Sequence, residues 1–115
     1  PSLAAEANNL GMNYLPGIAT PSEAMQAAEA DCCQLKFFPA ASLGTGYLAN
    51  LAAALPQLSF VPTGGINSTN LANWLALPSV LAVGGSWLLA GSTNQAAFIQ
   101  QAKAALASAK HLKEA

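Results

Sequence analysis

Arginine is absent from this chain, and only 8 % of its 115 residues are charged, against roughly a quarter in an ordinary globular protein. Nucleic-acid binding depends on a basic surface that displaces counterions; a formal net charge of -1 with no basic patch excludes that class of partner. Any anion must be held by backbone N–H groups rather than by guanidinium forks. Acidic residues are equally sparse, with none between Asp31 and Glu114. Long apolar runs are missing too: Pro, Gly, Asn or Ser interrupts each one, which excludes a membrane span. The two cysteines, Cys32 and Cys33, are adjacent and offer neither a disulfide framework nor metal-ligand spacing. On a strand they would point to opposite faces. They are expected to be small buried hydrophobes in a reducing, cytoplasmic setting. The single histidine, His111, falls among lysines near a helix C-terminus, where the dipole accounts for it.

What the chain does have is apolar residues, 53 % of the total, enough for one domain with a core. Four lysines are present, and Lys36 stands alone through the first hundred residues. It lies in Cys32-Cys33-Gln34-Leu35-Lys36-Phe37-Phe38-Pro39-Ala40, a short apolar segment closed by a turn signal, which predicts a buried strand. No acidic residue close in sequence can pair with it. Desolvation would push such an amine toward its neutral form, and a neutral amine condenses with ketones and aldehydes to a Schiff base. The competing reading is a strand-end lysine whose stem packs on Phe37 or Phe38 while its head reaches water.

Along the chain, residues 1 to about 10 predict a helix stopped by Gly11. Met12–Ile18 predicts a strand that ends in the Pro16-Gly17 turn. Thr20 as N-cap, Pro21 at the first helical position and Glu23 as capping-box partner predict a helix to about Asp31, before the lysine strand. Ala41–Leu55 carries a loop with Gly44 and Gly46, then a helix halted by Pro56. Leu58–Val61 predicts a third strand with Pro62-Thr63-Gly64-Gly65-Ile66-Asn67 as its exit loop. Asn67 is placed to cap a helix carrying Leu71, Trp74 and Leu75. Val80–Val83 predicts a fourth strand leading into Gly84-Gly85-Ser86-Trp87. A last helix from Thr93 or Asn94 puts Phe98, Ala102, Leu106 and Ala109 on one face and Lys103, Lys110 and Lys113 outside. Tyr14, Trp74 and Trp87 read as packing residues.

Strands alternating with helices predict a parallel sheet buried on both faces, either doubly wound or a (β/α)8 barrel. The unusual loops all follow strands, the face on which barrels gather function. Glycines after the third and fourth strands let backbone N–H groups approach a ligand, and Thr63 and Ser86 add hydroxyls. The helix beginning near Asn67 is expected to aim its positive end at the same place. An anion site built from these turns follows.

Leu15-Pro16-Gly17-Ile18 with Thr20-Pro21-Ser22-Glu23, Lys36-Phe37-Phe38-Pro39-Ala40, Pro62-Thr63-Gly64-Gly65-Ile66 and Gly84-Gly85-Ser86-Trp87-Leu88 resemble the bacterial 2-keto-3-deoxy-6-phosphogluconate (KDPG) aldolases, also called 2-keto-4-hydroxyglutarate (KHG) aldolases. The resemblance implies a (β/α)8 TIM barrel and a class I aldolase that yields pyruvate and glyceraldehyde 3-phosphate. It also implies a homotrimer that uses no metal and no cofactor. Lys36 then resembles the Schiff-base lysine, and Phe38 the aromatic residue beside the pyruvate moiety. Thr63, Gly64, Gly65, Gly85 and Ser86 resemble the substrate-phosphate cradle. The resemblance covers only the family's second half, roughly the last four βα units. The family's general acid/base glutamate, carboxylate-binding arginine and a substrate-binding threonine have no counterpart. Glu23 reads as a cap rather than as their replacement. The expectation is therefore that residues 1–115 are the C-terminal half of one barrel domain and need the other half for turnover. A half-barrel that completes itself as a dimer, a non-catalytic phosphate-binding module and another sugar-phosphate barrel stand as alternatives.

Overall fold

The computed structural model describes residues 2–12 and 14–85. The first helix, α1, spans Ser2–Asn9, and Gly11 ends it at φ 68° while Met12 N–H closes onto Ala7 O at 2.8 Å. The strand expected over Met12–Ile18 is shorter: β1 is only Gly17–Ile18. Pro16 brings a carbonyl to the ladder, accepting from Lys36 N–H at 2.8 Å, but has no N–H to give. Helix α2 covers Pro21–Glu29 and begins as its residues demand. Thr20 Oγ1 accepts from Glu23 N–H at 3.2 Å while Glu23 Oε1 takes Thr20 N–H at 3.1 Å, a complete capping box with Pro21 at the first turn.

Strand β2 is Gln34–Phe37. Cys32 and Cys33 precede it rather than lie in it, and Cys33 is exposed, so the expectation of two buried cysteines fails. After β2 the chain turns into α3, Ala40–Leu43, where a loop was expected. Gly44 at φ 96° then separates α3 from α4, Thr45–Ala54, which takes Gly46 into its first turn. Strand β3 is Ser59–Pro62 and the short helix α5 is Leu71–Leu75. The fourth strand is present as two isolated parallel bridges to β3, Phe60 with Val80 and Thr63 with Gly84.

The strands are all parallel in the order β1-β2-β3, with residues 80–84 next to β3. Alternation along β2 and β3 buries Leu35, Phe37, Phe60 and Pro62 and turns Gln34, Lys36, Ser59 and Val61 the other way. The buried set joins Ala24, Leu48, Leu51, Leu71 and Trp74 from the helices in one core. Phe37 lies at its centre, with ring centroids 5.9, 6.4 and 6.2 Å from those of Tyr47, Phe60 and Trp74. Burial on both sheet faces was expected; the helices cover one. Right-handed crossovers between strands taken in sequence order leave the connecting helices α2–α5 on the same side. The opposite face holds Lys36. Trp74 is a core residue as expected, whereas Tyr14 is exposed. Ser86, Trp87, the helix expected from residue 93, Lys103, Lys110, Lys113 and His111 lie outside the described residues.

Candidate active site

Lys36 sits one residue before the end of β2, in register with Gly17 on one side and Val61 on the other. Gly17 has no side chain, and a Cβ there would meet nothing within 4 Å. A cleft of about 260 Å³ opens at that spot, lined by Gly17, Ile18, Ala19, Glu23, Lys36 and Phe38. The lysine is half-buried, between the dry strand and the snorkelling alternative. Its Nζ lies 5.3 Å from the Phe38 ring centroid, a cation–π distance. Phe38 itself is 50 % exposed, in contrast to its fully buried neighbour Phe37.

The glycine turn after β3 is built against this pair. A Cβ on Gly64 would stand 3.0 Å from the Phe38 ring, so the ring lies flush on the backbone. Gly64 and Gly65 have φ of 103° and 72°, the left-handed region that side chains avoid. Backbone bonds tie this turn to the exit of β2: Ala40 N–H donates to Thr63 O at 2.8 Å and Ala41 N–H to Gly64 O at 2.9 Å. A Cβ on Gly65 would come within 2.5 Å of Ala41 Cβ. Gly65→Ala is therefore expected to cost roughly 3 kcal/mol, overpacking added to left-handed strain. Gly46→Ala, inside α4 with nothing within 4 Å, should gain up to about 1 kcal/mol. Urea unfolding midpoints of the two variants, moving in opposite directions, check this.

Thr63 is brought to Gly84 by their bridge, and a Cβ on Gly84 would press on Thr63 Oγ1 at 2.9 Å. The Thr63 hydroxyl makes a long contact, 3.5 Å, to Val61 O. Gly85 follows and is exposed; Ser86 is outside the described residues. Asn67 Oδ1 accepts from Thr69 N–H at 2.8 Å and Asn70 N–H at 3.2 Å, but this closes the turn before α5; the helix itself begins after Asn70 with no side-chain cap, so the expected Asn67 cap on it is not made. The two N–H donors are thereby spent, and α5 has only five residues, so the expected positive helix end adds little to an anion site. The glycine backbone remains its main source of donors.

Two residues of this region were missed. Glu23 lines the lysine cleft as well as capping α2. Tyr47, from α4, donates its hydroxyl to Ala19 O at 2.7 Å. The signal for Glu23 was its place directly after a strand end; for Tyr47 it was a phenol on an alanine- and leucine-rich helix, since a buried hydroxyl needs a partner. The Ala19 N–H, then the Thr20 hydroxyl and N–H, hold the Glu23 carboxyl below its ordinary value of 4.5. A lowered folded-state value stabilises the fold above pH 4.5, and that contribution disappears as pH falls through the depressed value. Glu23→Gln should therefore show a shallower loss of melting temperature on acidification below pH 4.5 than the parent chain.

A half-buried amine and left-handed glycine turns are gathered where the parallel strands of this α/β protein end, the edge on which such folds carry their sites. The chain belongs to the KDPG and KHG aldolase family, whose profile matches residues 1–104. It is 40 % identical over 105 residues to the 2-dehydro-3-deoxy-phosphogluconate aldolase of Treponema pallidum, covering 90 % of this chain and 50 % of that protein. The chain thus spans about half the length of that relative. The KDPG aldolase of Zymomonas mobilis, solved with 3-phosphoglycerate, superposes with a TM-score of 0.84 at 36 % identity, covering 90 % of this chain and 50 % of the other. The KDPG aldolase of Legionella pneumophila, with pyruvate captured as a covalent carbinolamine, gives 0.69 at 34 % identity, over 88 % and 48 %. Among the described residues, no helix is long and apolar enough to cross a membrane.

Proposed function

We propose that this chain is the Schiff-base-forming, C-terminal half of a (β/α)8 barrel with class I aldolase activity. The complete barrel would cleave 2-keto-3-deoxy-6-phosphogluconate to pyruvate and glyceraldehyde 3-phosphate, and 2-keto-4-hydroxyglutarate to pyruvate and glyoxylate. The strand order supports a barrel arc: parallel neighbours follow one another with no reversal and with helices on one side, whereas a doubly wound sheet requires a switch point.

The observation that carries the reading is the place of Lys36, at the end of a central strand beside an open cleft in a chain of this family. The carbinolamine captured in the Legionella pneumophila relative supports an amine-carbonyl reaction. The unprotonated amine of Lys36 adds to the C2 carbonyl of the keto acid, and the carbinolamine loses water to an iminium ion. The C3–C4 bond then breaks: its electrons flow into the iminium to give an enamine, and the C4 hydroxyl gives up its proton as the aldehyde leaves. A general base must accept that proton, and the enamine is later reprotonated at C3 and hydrolysed to free pyruvate and amine. The base belongs to the half of the barrel that this chain does not supply. Phe38 would pack by the pyruvyl group. Thr63, Gly64, Gly65, Gly85 and Ser86 would hold the phosphate, fixing the far end so that C3–C4 is aligned. No metal or cofactor enters this scheme. A homotrimer and a cytoplasmic setting accompany the proposal as family expectations.

Incubation with pyruvate and borohydride tests it. Hydride added to the iminium carbon leaves a stable secondary amine, read as the mass of one reduced pyruvate on the Lys36 peptide. Absence of that mass, with phosphate still bound, would leave a non-catalytic phosphate-binding module instead.

A further inference from the structure

We propose that Tyr47 is a positioning residue for the lysine cleft, holding the exit of β1 as one of its walls. The inference rests on the aldolase reading of Lys36 and adds a residue to it. Ile18, Ala19 and Glu23 line the same cleft as Lys36 and Phe38. Ile18 is tied to the sheet, its carbonyl accepting from Phe38 N–H at 3.2 Å. Beyond it the strand has ended, and Ala19 is held from two sides. Its N–H donates to Glu23 Oε1 at 2.9 Å, a bond local to the start of α2. Its carbonyl accepts from the Tyr47 hydroxyl at 2.7 Å, from 28 residues away.

The two bonds do different things. The Glu23 bond closes a loop of four residues, so it shapes the turn but leaves the turn free to move with α2. The Tyr47 bond fastens the next peptide group, on the other side of the Ala19 Cα, to α4, which belongs to another βα unit. Tyr47 is in turn seated by its ring, 5.9 Å from that of Phe37, and Phe37 is fully buried on the same strand as Lys36. One side chain therefore connects the cleft wall to the strand that carries the amine. Wall and amine then keep a constant separation, which an attacking group needs if a bound carbonyl is to lie at bonding distance.

Tyr47→Phe removes the hydroxyl and keeps the ring. The rate of pyruvate–borohydride labelling at Lys36 is measured against pyruvate concentration, together with amide exchange at Ala19, Thr20, Lys36 and Thr63. The expected result is a maximal labelling rate lowered roughly threefold to tenfold, the effect of one hydrogen bond. Exchange should quicken at Ala19 and Thr20 and stay unchanged at Lys36 and Thr63. Labelling kinetics equal to those of the parent chain would overturn the inference and leave the aldolase reading standing. Equal acceleration at all four amides would make Tyr47 a contributor to fold stability alone, which also overturns it. No label on the parent chain would remove the aldolase reading and this inference with it.

Discussion

Lys36→Met is expected to reduce pyruvate–borohydride labelling of the chain to background while the fold survives. Methionine reproduces the unbranched stem of lysine, so the half-buried packing between Gly17 and Val61 is retained. What disappears is the nitrogen, and with it the cation–π contact to Phe38, worth about 0.5–1 kcal/mol at a partly exposed site. That small cost leaves the variant folded, so a lost label reports chemistry rather than collapse. Peptide mapping is the necessary readout because three further lysines, Lys103, Lys110 and Lys113, are available to non-specific reductive alkylation. A parent-chain label that maps to one of these lysines and not to Lys36 would refute the assignment.

Phe37→Ala, one residue along, should do the opposite and break the fold. Phe37 is fully buried and meets Tyr47, Phe60 and Trp74. Truncating such a ring costs about 3–5 kcal/mol through lost transfer energy and the cavity left behind. Against a whole-domain stability of roughly 5–15 kcal/mol, that is more than half in a marginal case. Phe38→Ala, by contrast, removes a half-exposed ring and should change stability by about 1 kcal/mol or less. Urea unfolding of the pair decides it; equal losses at 37 and 38 would mean that the face assignment of β2 is wrong.

The contrast between Phe37 and Phe38 also shows what the amino-acid order could and could not tell. The apolar run around Lys36 marked a strand, and the Thr20-Pro21-Ser22-Glu23 box marked a helix start, because both depend on neighbours in sequence. Parallel βα alternation followed from the same local signals. Which face of β2 the helices would cover was not legible, since it depends on crossover handedness and strand order. The short β1 escaped because Pro16 looks like the strand's end, whereas it precedes the strand and its carbonyl accepts a ladder bond from Lys36. Within the site, Lys36 and the Thr63-Gly64-Gly65 turn were visible as unusual residues in unusual places. Glu23 is fully explained in the sequence as a cap, which hides its second position beside the cleft. Tyr47 reaches Ala19 across 28 residues, and no periodicity records a contact of that kind.

The reciprocal backbone bonds between the exits of β2 and β3 have a consequence for anyone recombining such sheets. Thr63 N–H donates to Phe37 O, and Ala40 and Ala41 return bonds to Thr63 and Gly64, so the lysine strand's outlet and the glycine bend form one interchangeable cassette. Residues 34–65 would have to be swapped between homologues as a block. A graft of either outlet alone would cut the seam between them and strand its amides without acceptors.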